Sequence, residues 1–598
     1  MNSETKTVPD GRRACQNCKN QFVLEADDFE FFDKFKVPPP TFCPHCRWQR
    51  HLSFRNARNL YKRKDSQTGK EIISIYSPDK DIKVLEQHAW HGDSWDPMEY
   101  GRGYDFSRSF FEQVKELIHA VPFPSMNNWD AVNSDFCNFT KGNKNCYLVF
   151  GGDFNEDTEY SSYNFYTKNS ADLYWVDKGE FCYELVDAEN NHQSSHGRYF
   201  DSCLDVHFGF ELRGCQNCIG CINLRNQKYC VFNQPCSAEE YAEKIRAIDL
   251  GSYAQTEQLK VQFEALRQKS IFRPYRILNS VRSSGDNIYN AKNCHYSFDV
   301  FDGAENCRYL LLAAGGIKDS YGTGHAGAKS ELLYDSMSVY PGHNIIASWI
   351  VINSHDVKHS INCVDSSYVF GCVGLKNKQY CILNKQYTKE EYGALVPKII
   401  EHMNAMPYGD AKGRTYGYGE FFPSELSPFG YNETVAHEYF PLSKEEIIEN
   451  GLQWFEREGR QYDITVRNEN IPDNIKEVRD AILNETIECA HWGTCKDGCT
   501  SAFRLIPAEL ALYRQIKVPL PRLCPNCRNA RRIRLRNPFK LWKGHCQCVG
   551  IQSENGIYKN STSHAHGNNR CSNEFETSYA PERPEIVYCE ECYLREVV

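Results

Sequence analysis

Cys15 and Cys18 are separated by two residues, and after 24 more residues Cys43 and Cys46 repeat that spacing. Two such pairs give four thiolates, a donor set that zinc accepts in tetrahedral geometry with little strain. The pattern returns near the other end of the chain, where Cys495 and Cys499 are followed, again after 24 residues, by Cys524 and Cys527. A third set, Cys546, Cys548, Cys589 and Cys592, lies beyond it. Four protein ligands close a coordination sphere, so these sites read as folding staples that leave no position for substrate. The expectation is about three zinc ions per chain, with iron–sulfur ligation as the alternative. Cys489, Cys571, His545, His564 and His566 stand near enough in sequence to replace a predicted ligand.

The terminal sets are copies of one module. A shift of 481 positions carries Phe22 onto Phe503, Val37-Pro38 onto Val518-Pro519 and Cys43 onto Cys524, with no gap from Cys18 to Cys46. Further on, Asp65 and Gln67 align with Cys546 and Cys548, and Glu86 and Ala89 with Cys589 and Cys592. The N-terminal copy thus keeps one four-cysteine set and lacks the second. "CPHC" opening a basic segment resembles a treble-clef finger, with a zinc ribbon as the near alternative.

The same shift places Arg47, Arg50 and Arg55 on Arg528, Arg531 and Arg536. Residues 41–64 hold seven Lys or Arg and no acid, and residues 522–543 hold eight and no acid. The total is −9, so the rest of the chain sits near −24. Two basic strips on an acidic body suit phosphate contacts, and Trp48, Phe54, Tyr61 and Trp542 interleave rings that stack on bases. The competing reading is that the same arginines dock on the acidic body itself.

The elements that position these groups lie between the modules. Short segments rich in Tyr, Phe, Val and Cys, bounded by Gly, Asn, Asp or Ser, read as strands and turns. Asn-Cys recurs at 145–146, 217–218, 293–294, 306–307 and 362–363, which points to a parallel β-solenoid with stacked ladders. Residues 221–245 and 372–399 align at an offset of 151, and each leads through Ser237 or Thr388 into a capping box and a helix. Another helix is expected to begin at Ser443. Cys215-x-x-Cys218-x-x-Cys221 lacks the continuation of an iron–sulfur motif and reads as a core ladder. His192, His196, Asp201, Asp205 and His207 mark the place where a carbohydrate-active solenoid would carry its groove.

The fold class expected is therefore mixed α+β and β-rich, a central solenoid in two blocks flanked by zinc modules. The divisions are an N-terminal zinc module at 1–100 and a connector at 101–133. A first β-block at 134–236, a helical segment at 237–277 and a second β-block at 280–386 follow. Helix and ordered loop at 387–460, a linker at 461–488 and a double zinc module at 489–598 complete the chain. The polar N-terminus shows no apolar leader, and no apolar run approaches a bilayer span, so membrane association is not expected. Fourteen of the 28 cysteines sit at metal-ligand spacing, which fits a reducing, cytoplasmic setting.

The strings "FCPHCRWQRHLSFRN", "KEIISIYSPDK", "NKNCYLVFGGDFNE", "YGEFFPSELSPFGYNETVA" and "PEIVYCEECY" resemble cysteine-rich zinc-ribbon proteins of ultrasmall candidate-phyla bacteria. The resemblance covers most of the chain and implies a bacterial, cytoplasmic protein. It carries no established activity. Relatives often read "LYKRKC" where Asp65 stands here, in keeping with a lost second site. The function expected is a non-enzymatic zinc protein that binds nucleic acid or a nucleoprotein through Arg47, Arg50, Arg55, Arg528, Arg531 and Arg536. A protein-binding scaffold and a solenoid glycan hydrolase or lyase are the alternatives, and the oligomeric state is open.

Overall fold

The computed structural model describes residues 11–457 and 462–598. The polar opening 1–10 and residues 458–461, where the expected loop meets the expected linker, lie outside the described residues. The chain is mixed α and β, β-rich, with parallel β-solenoids between terminal cysteine clusters. Among the described residues no helix is long and apolar enough to cross a membrane.

Two compact units form, and each is built from two stretches of chain. One joins Met1–Met126 to Tyr275–Glu456, and the other joins Asn127–Pro274 to Arg457–Val598. The N-terminal module therefore packs on the second β-block, and the C-terminal module on the first. Each module sits on the block farther from it in sequence, a partition that the linear divisions do not convey. The expected connector also divides: the helix Phe110–Ala120 belongs to the first unit, while the ladder of the second unit already starts at Asn128–Trp129.

In the second unit the solenoid repeats every 12 residues, as the registers Lys144↔Glu156, Lys168↔Glu180 and His192↔Leu204 show. Every third residue, Asn145, Leu148, Gly151, Phe154 and onward, has positive φ. Each turn thus has four sides of three residues, with a left-handed residue at each corner. Asn and Asp recur at these corners because their short polar side chains tolerate that conformation. The residue after each corner points inward, which accounts for Asn-Cys: Asn145 turns the corner and Cys146 fills the core. Such a narrow interior admits only small groups on most sides, and one inward column reads Cys146, Thr158, Ser170, Cys182, Ser194, Val206, Cys218 and Cys230, all buried. The polar members satisfy the backbone, as where Ser170 Oγ accepts the Cys182 N–H at 3.0 Å. Burial pushes the Cys182 thiol up to about 12, so it stays protonated and inert.

The first unit uses the same design with a local change. Lys292↔Glu305 and Lys318↔Glu331 are 13 residues apart, whereas Glu331↔His343 returns to 12. The additional residue sits in paired left-handed corners, Asp302-Gly303, Gly315-Gly316 and Ala328-Lys329, and at the first two glycine meets no Cβ penalty. Both solenoids end alike, in an antiparallel strand (Gln234–Pro235 or Lys385–Gln386) and a capped helix. Ser237 with Glu240, and Thr388 with Glu391, form the expected capping boxes. The helix expected across 237–270 is two helices, Ala238–Arg246 and Tyr253–Arg267, and the third expected helix runs Lys444–Glu449 with Ser443 as its cap.

Candidate metal centres

Each module begins with a short antiparallel hairpin, and its first cysteine follows the first strand. Cys15 follows Arg12–Ala14, Cys489 follows Ile487–Glu488, and Cys546 follows Trp542–His545. In each case a later cysteine is the N-cap of a helix: Cys43 for Pro44–Leu52, Cys524 for Pro525–Arg534 and Cys589 for Glu590–Val597. The capping N–H donates to the first sulfur, Cys43 to Cys15 Sγ at 3.3 Å, Cys524 to Cys489 Sγ at 3.2 Å and Cys589 to Cys546 Sγ at 3.1 Å. A second sulfur lies close to the capping sulfur, with Cys18–Cys43 at 3.8 Å, Cys499–Cys524 at 3.9 Å and Cys571–Cys589 at 3.9 Å. Tetrahedral thiolates at about 2.3 Å from an ion lie about 3.8 Å from one another, so these edges fit a metal.

Three four-cysteine groups could accordingly hold an ion: Cys15, Cys18, Cys43 and Cys46; Cys489, Cys499, Cys524 and Cys527; and Cys546, Cys571, Cys589 and Cys592. The first is the set expected from sequence. The second corrects Cys495 to Cys489, because strand pairing fixes Cys489 in the place of Cys15 and a longer loop then leads to Cys499. Cys495 lies 3.6 Å from Cys527, in a peripheral group with His491 and Asp497. The third corrects Cys548 to Cys571, the residue that follows the turn of its hairpin. Cys548 turns instead toward His564, His566 and Cys592.

The sulfurs of each cluster are electrostatically unequal. Hydrogen bonds from Cys43 and Cys46 hold the Cys15 thiol well below its usual range, while the bond to Cys15 pushes Cys43 up to about 12. The same polarity recurs at Cys524 and Cys527, and at Cys589 and Cys592. One sulfur in each cluster ionises at its neighbours' expense, and full ionisation requires a positive ion among them.

Where the second N-terminal site would stand, carboxylates replace thiolates. Asp65 Oδ2 accepts the Glu86 N–H at 2.6 Å, the counterpart of the Cys589-to-Cys546 bond. Glu86 caps the helix Gln87–His91 by accepting from His88 and Ala89, as Cys589 accepts from Cys592. The knuckle geometry persists here without sulfur.

The arginines face inward. Arg47 lies 3.8 Å from Asp335 with its guanidinium over Tyr321, and Arg50 donates to Glu420 at 2.9 Å and to Asp335 at 3.3 Å. Arg55 donates to Ser338 Oγ at 2.9 Å. In the second unit Arg528 donates to Asp172 at 2.6 Å over the ring of Tyr160, and Arg536 pairs with Asp187 at 2.8 Å. Arg532, which the duplicated pattern does not single out, also pairs with Asp172 at 2.6 Å. All of these are buried, and Arg531, ion-paired with Glu184, keeps 40% of its side chain exposed. The expectation that Arg47, Arg50, Arg55, Arg528 and Arg536 meet phosphate is corrected: desolvated, with Arg47, Arg50, Arg528 and Arg536 beside solenoid acids and Arg55 on Ser338, they fasten the cysteine-capped helices to the solenoids. Burial alone would raise the Asp335 carboxyl, but His51, Arg47 and Arg50 around it pull it well below the usual range.

No family model matches the chain. No curated protein matches it either. One solved structure, described as a "putative acetyltransferase from Desulfovibrio desulfuricans G20", overlaps at 12% identity with a TM-score of 0.09, over 71% of this chain and 91% of that one. A score that low carries no argument about fold or function.

Of the residues considered for a hydrolytic groove, His196, Asp205 and His207 meet around Ser195, while His192 lies beside Glu180 and Asp201 pairs with Arg213. His207 Nδ1 lies 2.8 Å from Ser195 Oγ and its Nε2 lies 3.1 Å from Asp205, while His196 Nδ1 approaches the same hydroxyl at 3.0 Å. Ser195 is 5% exposed and its oxygen is shared by two imidazoles, so it presents no nucleophile to solvent. Burial lowers His196 to about 3 as it stacks on Phe208. The Cys215, Cys218 and Cys221 thiols are buried in the solenoid core, as the ladder reading expects.

Proposed function

We propose that this chain is a non-enzymatic, zinc-stapled solenoid scaffold whose partner is a protein. The observation that carries the reading is the path from metal to solenoid: four thiolates fix a helix N-terminus, and that helix buries its arginines against solenoid aspartates. Zinc is the ion that best suits four thiolates in tetrahedral array. A closed sphere of this kind supports a structural role.

Support for a protein partner comes from the surfaces that remain. Lys144, Glu156, Lys168, Glu180 and His192 form an alternating charge ladder along one solenoid, with Lys144–Glu156 at 2.7 Å and Lys168–Glu156 at 3.3 Å. Lys292, Glu305, Lys318, Glu331 and His343 repeat it on the other, with Lys292–Glu305 at 2.7 Å. Ladders that neutralise themselves offer little field to a polyanion. Phe154 and Tyr166 stack at 5.4 Å on adjacent turns and are 46% and 53% exposed, a surface suited to protein contact.

The test is binding by the purified full chain to single- and double-stranded nucleic acid across a salt series, beside cross-linking and mass spectrometry of proteins bound to the native chain. The scaffold reading expects no salt-dependent nucleic-acid affinity, and a specific protein lost with Phe154→Lys/Tyr166→Lys. Tight nucleic-acid binding at low salt would overturn it in favour of the polyanion reading.

A further inference from the structure

Cys548, His564, His566 and Cys592 form a second ligand cage that shares Cys592 with the Cys546, Cys571, Cys589 and Cys592 group. We propose that the C-terminal module holds two zinc ions bridged by the Cys592 thiolate. One ion would be bound by Cys546, Cys571 and Cys589, and the other by Cys548, His564 and His566. The proposal rests on the zinc reading of the thiolate clusters.

The imidazoles are arranged as ligands. His566 Nδ1 lies 2.7 Å from the Asn569 carbonyl, an acceptor that fixes the proton on Nδ1 and leaves the Nε2 lone pair free. That Nε2 lies 3.4 Å from Cys592 Sγ, close to the separation of about 3.5 Å that nitrogen and sulfur show on one tetrahedral zinc. His564 presents the opposite tautomer: its Nε2 lies 3.0 Å from Glu596 Oε1, which leaves Nδ1 for the metal. Both side chains of that pair are at most 1% exposed. Glu596 is itself held by the Ser561 N–H at 2.8 Å and the Thr562 hydroxyl at 2.8 Å. A ligand imidazole oriented by a carboxylate, and that carboxylate oriented in turn, is the outer shell that metal-bound histidines carry. Asn560 Nδ2 donates to Cys548 Sγ at 3.2 Å, which suits a thiolate.

Charge favours sharing. Five thiolates around two divalent ions leave a single net negative charge in this buried pocket, whereas one ion in a four-thiolate cage leaves two. The same chain shows what happens without the second cage: the N-terminal copy has Gln67 and Ala89 at the positions of Cys548 and Cys592, and Asp65 and Glu86 in place of Cys546 and Cys589.

Metal per full-length chain decides the matter. The proposal expects four zinc ions in the wild type and three in both His566→Ala and Cys548→Ser, with hydrogen exchange of the solenoids unchanged as the control for folding. X-ray absorption at the zinc edge should show a metal–metal vector at about 3.5–4 Å in the wild type that is lost in either variant. Three ions in the wild type, four in the variants, or four without the metal–metal vector would each overturn it. A wild type with no zinc at all would instead overturn the reading on which it rests.

Discussion

Arg528 and Asp172, 356 residues apart in sequence, form an ion pair of 2.6 Å with both side chains shut off from water. Arg47 and Asp335 occupy the equivalent places in the other unit. In both, a guanidinium lies over a solenoid tyrosine and reaches an aspartate at a left-handed corner. The duplicated helix thus docks through this one shared contact in both copies, while its other arginines differ, Arg50 meeting Asp335 and Glu420 where Arg531 meets Glu184.

Removing one member of such a pair leaves the other charged and buried. Arg528→Ala is expected to destabilise its unit by about 3–5 kcal/mol, read as faster hydrogen exchange throughout Asn127–Pro274. Arg528→Met/Asp172→Leu should recover only part of that loss, because it takes Asp172 from Arg532 and Arg528 from Glu509. A single variant with unchanged exchange would show that the pair does not hold the module down.

The corrected ligand assignment separates two cysteines that sequence spacing could not. Cys489→Ser should lower zinc by one ion per chain and loosen the helix Pro525–Arg534, while Cys495→Ser should leave the metal content intact. The converse result would restore Cys495 as the ligand. Quantifying zinc in the two purified variants settles it.

Much of this architecture is legible in the sequence, and what is hidden there shares a cause. Asn-Cys pairs announce the corner and the inward position, and the offset of 481 announces the paired modules. The strict period of three is masked at the corners themselves. They accept Leu148, Phe154 and Tyr160 as well as Asn145, since inter-turn hydrogen bonds override local preference. The arginines are legible as a pattern but not as a destination, because a strip facing phosphate and a strip facing aspartate have the same composition. Cys489 escapes a reading by spacing because a hairpin puts it beside Cys524.

Charge balance at the second docking site leads to a pH dependence. Arg528 and Arg532 bring two positive charges to a site lined by Asp172, Glu509 and Glu159. Burial, with Glu509, Asp157 and Asp172 nearby, pushes the Glu159 carboxyl up to about 8. The folded unit therefore keeps a proton that the unfolded chain releases near pH 4.5. Stability should fall as pH rises from about 4.5 toward 8, by an amount on the order of a few kcal/mol. Glu159→Gln, which stays neutral throughout, should flatten that decline in urea midpoints measured from pH 6 to 8. Parallel profiles for the two proteins would place the retained proton elsewhere.

Asp65 holds together with hydrogen bonds a knuckle whose C-terminal counterpart is built on cysteines. Its carboxylate accepts from Gln67 N–H at 2.9 Å, Thr68 N–H at 2.6 Å, Thr68 Oγ at 2.9 Å and Glu86 N–H at 2.6 Å. Burial opposes ionisation here, but these donors outweigh it and hold the carboxyl below its usual value. A depressed folded pKa means that this stabilisation is present above the ordinary carboxylate range and is lost as pH falls through the folded value. Asp65→Ala strands the donors and should cost about 1–3 kcal/mol locally, seen as increased exchange across residues 61–91. With carboxylates in place of thiolates at this knuckle, zinc per chain should stay at the wild-type value in that variant. A drop of one ion with Asp65→Ala would mean that the N-terminal knuckle still binds metal through its carboxylates.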